Sequence, residues 1–257
     1  MIDLHCHALP GIDDGPARIE DALSLAEAAA AAGIETILAT PHVSFEFRND
    51  QETIRRLTAE LNDRLAEQSI PVRVLPGAEV AATWAADADP DQLEALTLGG
   101  SRSLLLEPPF SPVITGFQQL AELLIARGQR IVIAHPERCP AFHRDIGMLR
   151  QLVDAGALTS LTARSLTSGF GAPARRLALR LLEEGLAHNV ASDAHDDLAR
   201  PPRIAGELSS AGVDESLALW LTELVPAAIL ADDPIPPRPA GRPAGGTKGV
   251  LARLLRR

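Results

Sequence analysis

Apolar residues recur along this chain at two spacings. Short runs at residues 2–4, 36–39, 72–75, 103–106, 131–134, 158–161 and 188–191 have the length and composition of buried strands. Between them the spacing lengthens to three or four residues. Ile19, Leu23, Ala26 and Ala30 form one such stripe and Ile54, Leu57, Leu61 and Leu65 another, as on one face of an amphipathic helix. The pattern predicts further helices near residues 118–126, 145–154, 174–184 and 202–211. Gly33, Gly128, Gly156, Gly185 and Gly212 stand where a glycine ends a helix.

Strands alternating with helices build parallel β-α units. Seven units predict an α/β fold closed, or nearly closed, into a barrel; an open doubly wound sheet is the competing arrangement. In a barrel the chemistry collects at the C-terminal ends of the strands. The chemically useful residues of this chain stand at those positions. His5 and His7 end the first strand, His42 follows the second, Glu79 the third, Glu107 the fourth, His135 the fifth, and Asp193 and His195 the seventh. The sixth offers Thr162, Arg164 and Ser165 instead.

Residues i and i+2 of a strand share a face, so His5 and His7 can chelate one metal together. A turn with two adjacent carboxylates, Asp13 and Asp14, follows directly. Prolines stiffen the strand exits at Thr40-Pro41-His42 and Glu107-Pro108-Pro109. His135-Pro136-Glu137-Arg138 joins an imidazole to a guanidinium, whose planar fork suits a phosphoryl group. Asp193 and His195 form another same-face pair, and Arg200-Pro201-Pro202 adds a second anion-binding arginine. His143 and His188 lie away from this pattern and read as structural or surface residues. The candidate ligands are therefore His5, His7, Asp14, His42, Glu79, Glu107, His135, Asp193 and His195. Nine nitrogen and oxygen donors without a thiolate are too many for one ion and enough for two or three divalent cations such as Mn²⁺, Fe²⁺ or Zn²⁺.

Composition narrows the partners. The chain has 257 residues and a net charge of −10, and six of its 24 basic residues fall at positions 238–257, where there is no acid. The remaining body is strongly acidic and would repel nucleic acid, whereas it suits cations. From Asp232 to Gly249 the chain is rich in Pro and Gly and is expected to be extended or disordered. This divides the chain into a body at 1–236 and a basic tail at 237–257. No run is long enough for stable membrane insertion, and the acidic N-terminal residues do not suit a signal peptide. The two cysteines, Cys6 and Cys139, read as reduced thiols. A cytoplasmic location is expected. A cysteine-nucleophile phosphatase is excluded, because six positions after Cys6 and Cys139 stand Ile12 and Asp145 rather than arginine.

In order and spacing these motifs resemble the PHP (polymerase and histidinol phosphatase) superfamily, and within it the bacterial capsule-associated, manganese-dependent tyrosine phosphatases. The residues that carry the likeness are His5 to Gly15, Ala39 to His42, Gly77 to Glu79, Ala134 to Arg138, Ser192 to His195 with Arg200 to Pro202, and a terminal Pro226 to Leu230. The resemblance covers roughly residues 1–236. It implies a distorted (β/α)7 TIM-like barrel holding two or three metals, manganese first. One metal would take His5, His7, Glu79 and Asp193; a second Glu79, Glu107 and His135; a third Asp14, His42 and His195. Three features depart from the family pattern. The segment after the sixth strand lacks the usual asparagine-containing stretch, Val43 replaces a second histidine, and the chain has no tyrosine.

The chemistry so implied is phosphomonoester hydrolysis. Two metals share and acidify a water, the resulting hydroxide attacks phosphorus, and Arg138 and Arg200 add positive field. The expected partner is a phosphotyrosine protein, a bacterial tyrosine kinase of exopolysaccharide biosynthesis. A histidinol-phosphatase-like or other small-molecule phosphoesterase is the nearest alternative, and a non-catalytic regulator retaining the fold is the second.

Overall fold

The structure, a computed structural model, describes residues 1–240; the basic residues from Arg242 onward lie outside the described residues. All seven predicted strands form: β1 Ile2–Cys6, β2 Thr36–Ala39, β4 Arg73–Pro76, β6 Ser103–Glu107, β7 Arg130–Ala134, β8 Leu158–Thr162 and β9 Asn189–Ala191. Two short strands join them, β3 His42–Val43 and β5 Glu79–Ala81. Every strand pair is parallel. Buried on both faces, the central strands are near-continuous apolar runs, such as Leu104-Leu105-Leu106 and Ile131-Val132-Ile133.

Among the described residues the ladders do not close into one continuous barrel. They divide into a three-stranded sheet, β1-β2-β4, and a six-stranded sheet, β3-β5-β6-β7-β8-β9. The division falls where two neighbouring strands break together. Thr40-Pro41 separates β2 from β3, and Gly77-Ala78 separates β4 from β5. Pro41 has no N–H to give a ladder, but its carbonyl accepts from the Glu79 amide at 3.0 Å, so His42 and Glu79 re-pair beyond the break. At the other margin β1 meets the residues after β9. Asp193 N donates to His5 O at 2.8 Å and His7 N donates to Ala194 O at 2.9 Å. The open doubly wound sheet is not formed either.

Helices cover the outer faces. α1 spans Ile19–Ala31 and α2 spans Gln51–Glu67, where Asp50 caps the first turn through Thr53 N. The helix Ile146–Asp154 is capped the same way by Asp145, and Phe117–Ala126 and Gly171–Glu183 match their predicted spans closely. Gly128 ends its helix at φ +94°, a conformation that glycine adopts without Cβ strain. The last helical run, Glu215 to Leu230, contains a π turn at Trp220–Leu224. Residues 231–240, the last described, form no helix or strand, but Trp220 Nε1 donates to Pro236 O and the half-buried Arg238 donates to Leu182 O. Among the described residues no helix is long and apolar enough to cross a membrane.

Candidate metal centre

The C-terminal ends of the strands bring all nine predicted ligands into one connected group. His5 and His7 stand two apart on β1, and their Nε2 atoms lie 3.3 Å from each other, both buried. Glu79, on β5, reaches between them: its Oε2 is 3.2 Å from His5 Nε2, 3.3 Å from His7 Nε2 and 3.1 Å from His42 Nδ1. Its Oε1 meets His135 Nε2 at 2.7 Å. Asp193 Oδ1 lies 3.6 Å from both His5 and His7. Asp14 Oδ1 lies 3.2 Å from His195 Nε2 and 3.5 Å from His42 Nε2. Glu107 approaches His135 at 3.7 Å and His42 at 3.9 Å.

Three sets of these atoms are close enough to hold an ion: His5, His7 and Asp193; His7, Asp14, His42 and His195; and His42, Glu79 and Glu107. This grouping differs from the one implied by the resemblance. His7 reaches the Asp14 set as well, and His42 rather than His135 completes the Glu79–Glu107 set.

The chemistry of the cluster fits a cation. The Nε2 atoms of His5 and His7 can share a single proton between them, or both can turn their lone pairs to a cation bound beside Glu79. Glu79 Oε2 has three ring nitrogens within reach, yet among the described residues it accepts no hydrogen bond, and His135 Nδ1 is likewise unpartnered there. Such buried polar atoms carry a desolvation cost that a bound ion would remove. The electrostatics agree. Burial, followed by the charge of Glu79, pushes Glu107 up to about 8. Burial acts in the same direction on Glu79 and Asp193, but the imidazoles beside both, and the arginines beside Asp193, hold these carboxyls well below the usual range.

The backbone at two of these positions is strained. His135 has φ +29° and Asp193 has φ +51°, although neither is glycine. Such conformations cost about 1–3 kcal/mol and persist where the surrounding structure enforces them.

Arg138 and Arg200 both bind the Asp193 carboxylate. Arg138 Nη1 pairs with Oδ2, and Arg200 Nη2 lies 2.9 Å from the same oxygen. Arg138 also lies over the Phe170 ring at 4.3 Å and the Phe110 ring at 5.3 Å. Phe110 stacks on His135 and Phe47 on His42, each at 5.4 Å. Both cysteines are free and buried, and burial raises their thiols further from the reactive thiolate.

Several residues with a clear job were not singled out by sequence. Asp13, in the turn after β1, buries its side chain, and its Oδ2 lies 2.7 Å from His7 Nδ1. Asp3 accepts from Ser192 N at 2.9 Å and Ser192 Oγ at 2.5 Å, fastening β1 to the segment after β9. Glu137, fully buried, accepts from Thr162 N at 2.9 Å and Ser165 Oγ at 2.7 Å. The sixth strand thus supports the loop that carries Arg138 in place of supplying a ligand. Four of only six phenylalanines (Phe45, Phe47, Phe110 and Phe170) fall in segments that follow strands, a signal the sequence did carry.

Parallel β-α architecture with clustered imidazoles and carboxylates at the strand ends defines a class of α/β proteins equipped to hold metal ions. Within it, the chain belongs to the CpsB/CapC family of capsular polysaccharide synthesis, whose family model matches residues 1–211. It is 39% identical over 197 residues to the tyrosine-protein phosphatase YwqE of Bacillus subtilis, covering 76% of this chain and 78% of that protein. To the tyrosine-protein phosphatase CpsB of Streptococcus pneumoniae it is 30% identical over 212 residues, covering 79% and 86%. A solved structure from work on YwqE and CpsB, described as unique metal-dependent tyrosine phosphatases, superposes with a TM-score of 0.83 at 36% identity, covering 94% of this chain and all of the other. The resemblance read from the motifs is thereby borne out.

Proposed function

We propose that this chain is a metal-dependent protein-tyrosine phosphatase whose substrate is a phosphotyrosine protein, a bacterial tyrosine kinase of exopolysaccharide synthesis. One observation carries the reading: nine imidazole and carboxylate groups converge beside two arginines at one end of the parallel strands. The relatives' names supply the reaction.

We assign the nine residues as ligands to two or three divalent cations, Mn²⁺ first and Fe²⁺ or Zn²⁺ as alternatives. Nitrogen and oxygen donors without thiolate support that choice. When bound, such cations supply Lewis-acid charge and acidify a water at neutral pH. The chain's own residues do the rest. Asp13 orients the His7 ring. Arg138 and Arg200 carry donors beyond those spent on Asp193, in the fork geometry that donates to phosphoryl oxygens. Phe47, Phe110 and Phe170 offer ring faces to an aromatic phosphoester. A phenolate leaves readily, which lessens the need for a strong general acid.

We also read the two sheets as arcs of a distorted seven-unit barrel, supported by the paired strand breaks and the Cys6–Ala194 bridge. Residues 1–236 are the phosphoesterase body and 237–257 a basic tail. Two unpaired cysteines support a cytoplasmic site, and the acidic body argues against a nucleic-acid partner.

The test is phosphate release from a phosphotyrosine peptide and from histidinol phosphate, using metal-stripped protein with and without Mn²⁺. Metal-dependent turnover of the peptide, lost in His5→Ala or Asp193→Ala, is the expected result. Turnover of histidinol phosphate alone would overturn the substrate while keeping the site. No turnover of either with metal bound would point to a non-catalytic role.

A further inference from the structure

Beside the metal cluster lies a cavity of about 800 Å³ between the helix Gly171–Glu183 and the segments that follow β6 and β7. We propose that this cavity is a subsite for acidic residues flanking the phosphotyrosine of a substrate protein. The inference rests on the phosphotyrosine reading above.

Continuity with the cluster comes first. Phe110 and Arg138 belong to both places. Phe110 stacks on His135, and Arg138 pairs with Asp193 while lying over Phe110 and Phe170, which line the cavity. A chain with its phosphate at the cluster would therefore run its neighbouring residues past these rings.

Charge comes second. Arg138, Arg176 and Arg180 line the cavity, and among the described residues no carboxylate does. That is unusual for a chain with 34 acidic and 24 basic residues. Arg176 and Arg180 stand four apart on one helix, which puts both on the same face. Arg180 shares Glu184 with Arg150, at 2.8 and 2.6 Å, so two guanidiniums divide a single carboxylate. Arg176 forms no ion pair among the described residues. The wall thus carries more positive charge than the protein neutralises. An acidic side chain complements it, while the rings of Phe110 and Phe170 pack the peptide's apolar parts.

The experiment compares two phosphotyrosine peptides that differ only in carrying Glu or Ser beside the phosphotyrosine, using the manganese-loaded full chain. We expect the acidic peptide to show a KM about five-fold lower at equal kcat, since each exposed charge pair contributes up to about 1 kcal/mol. The ratio should shrink as salt is raised. In R176S/R180S it should fall to about one, and in R176K/R180K most of it should return. Equal KM values for the two peptides, or a ratio unchanged in R176S/R180S, would overturn the subsite alone. Failure of the wild type to turn over either peptide would overturn the phosphotyrosine reading and the subsite with it.

Discussion

His7 is held from behind by Asp13. Its Nδ1 lies 2.7 Å from Asp13 Oδ2, while its Nε2 faces His5 and Glu79. A carboxylate accepting from one ring nitrogen fixes the tautomer that presents the other as a lone pair. The same carboxylate accepts from Gly15 N and His42 N at 2.9 and 3.2 Å, so it positions two candidate ligands at once.

Asp13→Asn should therefore weaken metal binding without unfolding the chain. Loss of such a supporting partner typically costs 10–100-fold in metal affinity or activity. Competition with a chelating dye would measure it. Affinity equal to wild type would mean that packing alone orients the ring.

The two arginines on Asp193 make a different prediction. Each still leaves the other on Oδ2 when removed, so the fold should survive either deletion. Arg138→Ala should lower kcat about 100-fold on a phosphotyrosine peptide, the scale of losing one charge-stabilising donor. Arg138→Lys should recover little of it, because an ammonium cannot reproduce the fork or its contact with Phe170. Full activity in the lysine variant would remove Arg138 from phosphate binding.

Much of this was legible because strand ends announce themselves. Leu104-Leu105-Leu106 before Glu107 and Ile131-Val132-Ile133 before His135 read as buried strands with a polar terminus, and the structure keeps them so. What was not legible depends on contacts distant in sequence. Thr40-Pro41 and Gly77-Ala78 break neighbouring strands at the same level, which splits the ladder, and neither dipeptide alone foretells it. Asp3 finds Ser192 across 189 positions. The positive φ of His135 and Asp193 is enforced by tertiary packing, since neither residue type prefers it strongly enough to show in sequence.

His188, read from sequence as structural or surface, gives a pH prediction. Burial, and then the charge of Arg238, holds its imidazole down at about 4, against an ordinary value of 6.5. A histidine with a lowered value stabilises the fold above pH 6.5 and loses that contribution as pH falls toward 4, because the unfolded chain takes up the proton first. The loss is at most about 3 kcal/mol. Denaturant midpoints of the metal-free protein between pH 7 and 4.5 should fall more steeply in wild type than in His188→Asn. Parallel slopes would show that His188 titrates normally.

The last prediction sets two glycine-to-alanine changes against each other. At Gly15 an added Cβ would lie 2.6 Å from the His7 carbonyl oxygen and 3.0 Å from Asp13 Oδ1. A backbone oxygen on β1's exit cannot retreat without carrying His7 along, so the turn must move instead, taking Asp13 and Asp14 with it. At Gly206, inside the helix Ala205–Ser210, nothing lies within 4 Å of the new methyl. There alanine gains helix propensity and reduces the freedom of the unfolded chain, together about 0.5–1 kcal/mol. Gly206→Ala should thus raise the thermal midpoint by a few degrees and leave intact the increase expected when Mn²⁺ is added. Gly15→Ala should lower the midpoint and collapse that increase, because it displaces the carboxylates that line the cluster. Thermal melts of both variants with and without Mn²⁺ decide it. A Gly15→Ala protein that keeps the full manganese-induced shift would separate the Asp13-Asp14 turn from metal binding.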